Sequence, residues 1–134
     1  MVPIPFDLND AEVDLYFRNL NGLLLTGGEL VLNFTCTYLK TAKAFFDRAT
    51  ASKEVYFPIW GTCEGFQLLS ILAANDDKVL LSGYHAQDVS WPIQFTQEAN
   101  KTRYYNQLPE QVKKTLATTN SVNFCSIFEF FFQN

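Results

Sequence analysis

The sequence predicts an α/β chain, with a mainly parallel sheet flanked by helices. Three observations carry this. Tyr56-Phe57-Pro58-Ile59-Trp60 is a short apolar, aromatic and β-branched run, the pattern of a buried strand. Gly61-Thr62-Cys63-Glu64-Gly65 follows, and then Phe66, Leu69, Leu72 and Ala73 recur at helical spacing. Upstream, Leu23-Leu24-Leu25 is an uninterrupted apolar run ending in Thr26-Gly27-Gly28, as in a parallel strand covered on both faces.

Taken in order, Met1 to Pro5 is extended, because its two prolines oppose a helix. Asp7 or Asn9 can cap a helix carrying Val13, Tyr16, Phe17 and Leu20 on one face. The Leu23–Leu25 strand comes next, and Glu29 to Thr37 is an irregular connection. Tyr38 to Ser52 reads as a helix with Leu39, Ala42, Phe45, Phe46 and Ala49 in one apolar stripe. Lys40, Lys43, Asp47 and Arg48 fall outside that stripe, which is core rather than a binding face. The strand, turn and helix around Cys63 follow, closed by the turn Asn75-Asp76-Asp77.

Beyond it, Val79 to Leu81 is a short strand and Ser82 to Ser90 a polar loop holding the single histidine, His85. That histidine reads as a loop residue rather than a catalytic partner. Trp91 to Thr96 is a strand. Pro109 suits the first turn of a helix ending near Thr118. Ser121 to Cys125 is strand-like. The run Ile127-Phe128-Glu129-Phe130-Phe131-Phe132 is so apolar and β-prone that it needs cover from the core or a partner.

Composition narrows the classes. One hundred and thirty-four residues make one domain, 1–134. Apolar content of 48% excludes general disorder. A net charge of −4 excludes a nucleic-acid interface built on a basic face. No stretch approaches the roughly 20 apolar residues of a membrane span. Three cysteines, Cys36, Cys63 and Cys125, are too sparse and odd in number for a disulfide framework. A Cys36–Cys125 pair is arithmetically open and nothing supports it. Asn33-Phe34-Thr35 and Asn100-Lys101-Thr102 are glycosylation triplets of a kind that also arises by chance.

The candidate chemistry centres on Cys63. By itself Gly-x-Cys-x-Gly also describes a buried structural cysteine beside two turn glycines. A strand before and a helix after make it a nucleophile elbow with sulfur in place of the serine oxygen. Glycines on both flanks remove Cβ clashes where the backbone reverses. The turn lifts the thiol to the N-terminus of the helix, where dipole and N–H groups favour the thiolate. The Glu64 N–H is aimed at the same spot and suits a developing oxyanion.

Phe57-Pro58-Ile59-Trp60-Gly61-Thr62-Cys63-Glu64-Gly65-Phe66 closely resembles the nucleophile segment of the γ-glutamyl hydrolases, relatives of the class I glutamine amidotransferases. Leu20 to Gly28 resembles that family's strand and Gly-Gly loop, Pro92-Ile93-Gln94-Phe95-Thr96 its Pro-Leu-Asn-Phe-Thr segment, and Val2-Pro3-Ile4 with Asp7-Leu8 the residues just before. The likeness covers most of residues 2 to 124. It implies a shortened class I amidotransferase-like fold and hydrolysis of γ-glutamyl bonds in folate polyglutamates, an ω-peptidase activity. Cys63 would be the nucleophile, with the Gly28 and Glu64 N–H groups as oxyanion donors. It implies no metal and no cofactor, a small-molecule γ-glutamyl substrate as partner, and a vacuolar, lysosomal or secreted location. A homo-oligomer stays open. Met1 to Pro5 lacks the character of a signal peptide, which leaves a cytosolic location open as well.

The chain departs from the family in three ways. It contains no His-Pro-Glu, the segment that supplies the base and its carboxylate, and it starts near the family's second strand. Asn123-Phe124 is followed by Cys125 instead of the family's second histidine. Glu64 stands where the family has an apolar residue, and a carboxylate there opposes the thiolate unless turned to solvent. The rival expectations are a catalytically incomplete paralogue acting as a binding or structural subunit, and a glutaminase half paired with a synthetase.

Overall fold

A computed structural model describes residues 1–82, 88–124 and 128–129. The chain divides into two compact units, one spanning Met1–Leu81 and the other Ser82–Glu129.

In the first unit Asn9, not Asp7, caps α1 (Asp10–Asn19). Its Oδ1 accepts the Glu12 N–H at 3.1 Å, while Glu12 Oε2 accepts the Asn9 N–H at 2.9 Å. This reciprocal capping box satisfies two donors that a helix start leaves open. Val13 is buried, and Tyr16, Phe17 and Leu20 pack with it. The helix is tied to the next one by Arg48, whose Nε donates to Asp14 Oδ1 at 2.6 Å. That bond holds the guanidinium above its ordinary range, with Asp10 adding to the effect.

Strand β1 (Leu23–Leu25) precedes α2 (Thr37–Ala51), and β2 (Ile59–Gly61) returns parallel to β1. Leu23 lies opposite Ile59, Leu24 opposite Trp60 and Leu25 opposite Gly61. Two further bonds extend the ladder, Leu23 N–H to Pro58 O at 2.9 Å and Thr62 N–H to Leu25 O at 3.0 Å. Helix α3 (Glu64–Ala74) leaves β2 through the Cys63 turn.

The core is where the three helices meet the sheet. Leu25, Leu39, Ala42, Leu68, Ile71 and Leu72 form one cluster, and Val13, Phe45 and Phe57 another. Leu39, Leu68 and Ile71 are wholly buried, each stabilising the fold by about 2 kcal/mol. The stripe expected on α2 is the one observed, since a 15-residue helix leaves its apolar phase little freedom. Phe57 joins α1 to α2, its ring centroid 4.4 Å from Phe17 and 6.2 Å from Phe45.

Three expectations are corrected here. The apolar run Leu23–Leu25 is not covered on both faces: Leu24 and its neighbour Trp60 are 45% and 59% exposed. Side chains alternate along a strand, so Leu23, Leu25 and Ile59 take the helix-covered face and Leu24 and Trp60 the other. Second, α3 does not bury the face expected from Phe66, Leu69, Leu72 and Ala73. It buries Gly65, Leu68, Ile71 and Leu72, while Phe66 is half exposed. The reason is steric. A Cβ on Gly65 would lie 2.2 Å from the Leu25 carbonyl oxygen, so only this glycine can face β1, and its position sets the rotation of the helix. Third, Val79 is still in the turn, which Asp76 holds by accepting the Lys78 N–H at 2.9 Å. The strand read at Val79–Leu81 is Leu81–Ser82, here β3.

In the second unit β4 (Val89–Trp91) pairs with β5 (Val122–Phe124). The pair is antiparallel, so the parallel arrangement holds for β1 and β2 and not here. The strand expected over Trp91–Thr96 ends instead at Trp91, because Pro92 has no N–H to continue a ladder. A 3₁₀ turn (Gln97–Lys101) and α4 (Arg103–Gln107) follow, then α5 (Glu110–Thr118), with Pro109 as its cap and its end where the sequence placed it. Phe95 meets Tyr105 edge-on at 4.9 Å, and Lys113 sits 4.6 Å above the Tyr105 ring. The two-residue strand β6 (Phe128–Glu129) closes the described chain. His85, Cys125 and most of the apolar run at 127–132 lie outside the described residues.

Gly65→Ala is expected to lower unfolding stability by about 3 kcal/mol, since a methyl driven into backbone cannot be absorbed by a rotamer change. Asn9→Ala should cost only about 1 kcal/mol, the worth of a cap. Urea denaturation of the two variants measures both, and a Gly65→Ala loss as small as that of the cap would contradict the close contact.

Candidate active site

Cys63 lies between β2 and α3 with φ 55° and ψ −120°. A side-chain-bearing residue seldom takes that conformation, and where one does the surroundings must hold it there. The hold is visible on both sides. A Cβ on Gly61 would fall 2.4 Å from the Gly65 carbonyl oxygen, as one on Gly65 would strike Leu25. The two flanking glycines are therefore where the sequence expected them and for the reason expected. Cys63 is exposed, so the thiol is not entombed in the core.

Past the turn the helix forms at once. Gly65 N–H donates to Thr62 O at 3.0 Å, and Phe66 and Gln67 N–H groups donate to Cys63 O at 2.9 and 3.2 Å. The Glu64 N–H has no acceptor among the described residues. Neither has the Gly28 N–H.

The Gly-Gly loop after β1 comes back to this turn. The Cβ direction of Gly27 meets the Cys63 sulfur at 3.5 Å, and that of Gly28 meets both Glu64 carboxylate oxygens at 3.3 Å. Successive loop residues thus face the sulfur and the carboxylate. Of the three residues singled out beforehand, Cys63, Gly28 and Glu64, the fold gathers all into one corner, with Gly27 nearer the sulfur than Gly28.

Glu64 differs from the sequence expectation. Its side chain is not turned to solvent but is 5% exposed. Oε2 accepts the Leu30 N–H at 2.8 Å, which fastens the loop to the first turn of α3. A carboxylate at a helix start is favoured by the dipole and by amide donors. The carboxylate borders a cavity of about 440 Å³, lined also by Thr26, Gly27, Gly28, Thr37 and Tyr38. Tyr38 escaped the sequence reading, because its position on α2 carries no motif. Burial pushes the Tyr38 hydroxyl above its ordinary value, and the nearby Glu64 carboxylate and Cys36 add to the shift.

Cys36 and Cys63 are both reduced thiols. Among the described residues there is no group of three or more His, Cys, Asp or Glu side chains that could hold a metal ion. No helix among them is long and apolar enough to cross a membrane.

No family model matches the chain. Curated relatives do. A γ-glutamyl hydrolase of Rattus norvegicus is 40% identical over 122 residues, which cover 90% of this chain and 38% of the relative. The γ-glutamyl hydrolase of Homo sapiens is 34% identical over 119 residues, 87% of this chain and 36% of the relative. γ-Glutamyl hydrolase B of Dictyostelium discoideum is 29% identical over 119 residues, 87% of this chain and 34% of the relative. This chain is similar to γ-glutamyl hydrolases. The resemblance read from Phe57–Phe66 and the Gly-Gly loop is therefore upheld across most of the chain, while the chain spans little more than a third of its relatives' length.

The Tyr38 shift has a signed consequence. A hydroxyl whose pKa is raised by folding favours the folded state below the unfolded value near 10, and that stability is lost as pH climbs through and beyond it. Stability should fall as pH climbs through and above about 10, and Tyr38→Phe should flatten part of the fall. Urea midpoints across that range test this; identical slopes for the two proteins would refute it.

Proposed function

We propose that this chain carries the nucleophile half of a cysteine hydrolase acting on γ-glutamyl bonds. The observation that carries the reading is Cys63 itself: an exposed thiol at a strained backbone position between a parallel strand and a helix, with a Gly-Gly loop against it. The similarity to named γ-glutamyl hydrolases supplies the bond that is cut.

The step that follows is acyl transfer. The Cys63 sulfur attacks the γ-carbonyl carbon, and the carbonyl oxygen becomes an oxyanion. The Glu64 and Gly28 N–H groups are the donors assigned to that oxygen, both being without acceptors among the described residues. Collapse breaks the C–N bond, the amine leaves with a proton, and a γ-glutamyl thioester remains on Cys63. Water then attacks the thioester carbon and restores the thiol. Among the described residues no imidazole stands beside Cys63, the one histidine of the chain being His85. The part assigned to this chain is accordingly nucleophile and oxyanion site, and turnover without a base should be slower by about a hundred- to ten-thousand-fold.

The substrate class is the γ-glutamyl amide. Folate polyglutamates, in which the acyl-side nitrogen is itself acylated, are the expectation that the resemblance brings.

Incubation with a γ-glutamyl anilide, acid quench and intact-mass measurement should show a γ-glutamyl adduct, mapped to Cys63 by peptide digestion. Cys63→Ala should abolish it. A protein that forms no adduct, and whose Cys63 reacts with iodoacetamide no faster than an unstructured thiol at the same pH, would remove this reading in favour of a binding or structural role.

A further inference from the structure

The loop that follows β1 has little of its own to hold it. From Thr26 to Val31 every residue is exposed and none belongs to a helix or strand. Gly27 and Gly28 are consecutive, and glycine leaves the backbone freer than any other residue does. Among the described residues one hydrogen bond reaches the span from Thr26 to Leu32, the Leu30 N–H donating to Glu64 Oε2 at 2.8 Å. Its two residues are 34 apart in sequence, so the bond ties the loop to another part of the chain rather than to itself.

The acceptor is fixed where the loop is free. Glu64 is buried at the start of α3, and its neighbour Gly65 is locked against the Leu25 carbonyl. The carboxylate lies along the loop. A Cβ on Gly28 would stand 3.3 Å from both of its oxygens, and one on Gly27 would stand 3.1 Å from Cys63 Cβ and 3.5 Å from the sulfur. The side chain therefore rests against Gly28 while it holds the amide two residues further on. A hydrogen bond to an ionised acceptor is roughly twice as strong as one to a neutral oxygen.

We infer that the Glu64 side chain is a positioning residue: by accepting the Leu30 N–H it holds the Gly27–Gly28 backbone against Cys63 and so fixes where the Gly28 amide stands. The anchoring is read from the contacts alone. Its catalytic consequence rests on the hydrolase reading, in which the Gly28 and Glu64 amides receive the acyl oxygen. Substitution at position 64 leaves that residue's own backbone amide in place, so what changes is the hold on the loop and the charge one residue from Cys63.

Two measurements on the full chain separate these. Amide exchange followed by NMR reads the anchor without any reaction. Relative to the Ile71 amide within α3, the Leu30 amide should exchange at least about tenfold faster in Glu64→Leu than in the unsubstituted chain, the scale of one hydrogen bond to a charged group. Glu64→Gln keeps a carbonyl acceptor and should recover most of that protection. The second readout is the rate of Cys63 adduct formation with γ-glutamyl anilide, divided by the rate of Cys63 alkylation by iodoacetamide. Alkylation at a saturated carbon develops no oxyanion, so the ratio removes any change in the thiol itself. It should fall at least about tenfold in Glu64→Leu, part of the roughly hundred- to thousandfold that a lost oxyanion donor costs, and recover to within about threefold in Glu64→Gln. A Leu30 amide that exchanges equally fast in all three proteins would overturn the anchor. An unchanged ratio in Glu64→Leu with the Leu30 amide freed, or a Glu64→Gln chain as impaired as Glu64→Leu, would overturn the positioning role. Absence of an adduct from the unsubstituted chain removes the hydrolase reading together with the catalytic consequence, and Leu30 exchange then decides the anchor by itself.

Discussion

The structure of the first unit depends on one contact between backbones. Gly65 rests against the Leu25 carbonyl, and Gly61 against the Gly65 carbonyl, at distances that admit no Cβ on either residue. A strand can turn into a helix in so few residues only if the chain crosses itself this closely. Cys63, at the apex, takes φ 55° because no gentler path joins β2 to α3. The cost of that conformation is met by burial of Leu68, Ile71 and Leu72 on the same helix, which is large compared with the 1–3 kcal/mol typical of a strained residue. The thiol is thus held outward by the packing of the apolar side chains behind it.

The same geometry accounts for Glu64. Once Gly65 faces β1, the residue before it faces the end of that strand, where the Gly-Gly loop turns away. A side chain there is buried whether or not it is polar, so a carboxylate must find donors in the loop. It finds the Leu30 N–H. The loop is consequently tied to the elbow by the residue adjacent to Cys63, and the hydroxyl of Tyr38 across the cavity feels the negative charge. Position, burial and electrostatics at this corner are consequences of one steric choice.

Similarity to the γ-glutamyl hydrolases fits this arrangement and bounds it. The matched region includes β1, the Gly-Gly loop, the elbow and α3, and it amounts to 38% of the rat relative. These residues bring together an exposed thiol, backbone amides without acceptors among the described residues, and a cavity bordered by a carboxylate. Among the described residues no imidazole stands beside Cys63, the one histidine of the chain being His85.

Local rules made several features legible in advance. The glycines around Cys63, the apolar stripe of α2, the turn at Asn75 and the strand character of Leu23–Leu25 follow from periodicity and turn chemistry, which act over a few residues. Pro92 also carried a readable signal, the missing N–H that stops β4 at Trp91. Tertiary contact alone decided the rest. The rotation of α3, which exposes Phe66 and buries Glu64, is set by Gly65 meeting a carbonyl forty residues away in sequence. The exposure of Leu24 and Trp60 depends on which sheet face the helices cover, and an apolar run looks the same with one face covered or two. Sequence determined where the elbow cysteine is and why its neighbours are glycines; the fold decided what stands beside it, because burial is a property of distant partners rather than of the residue.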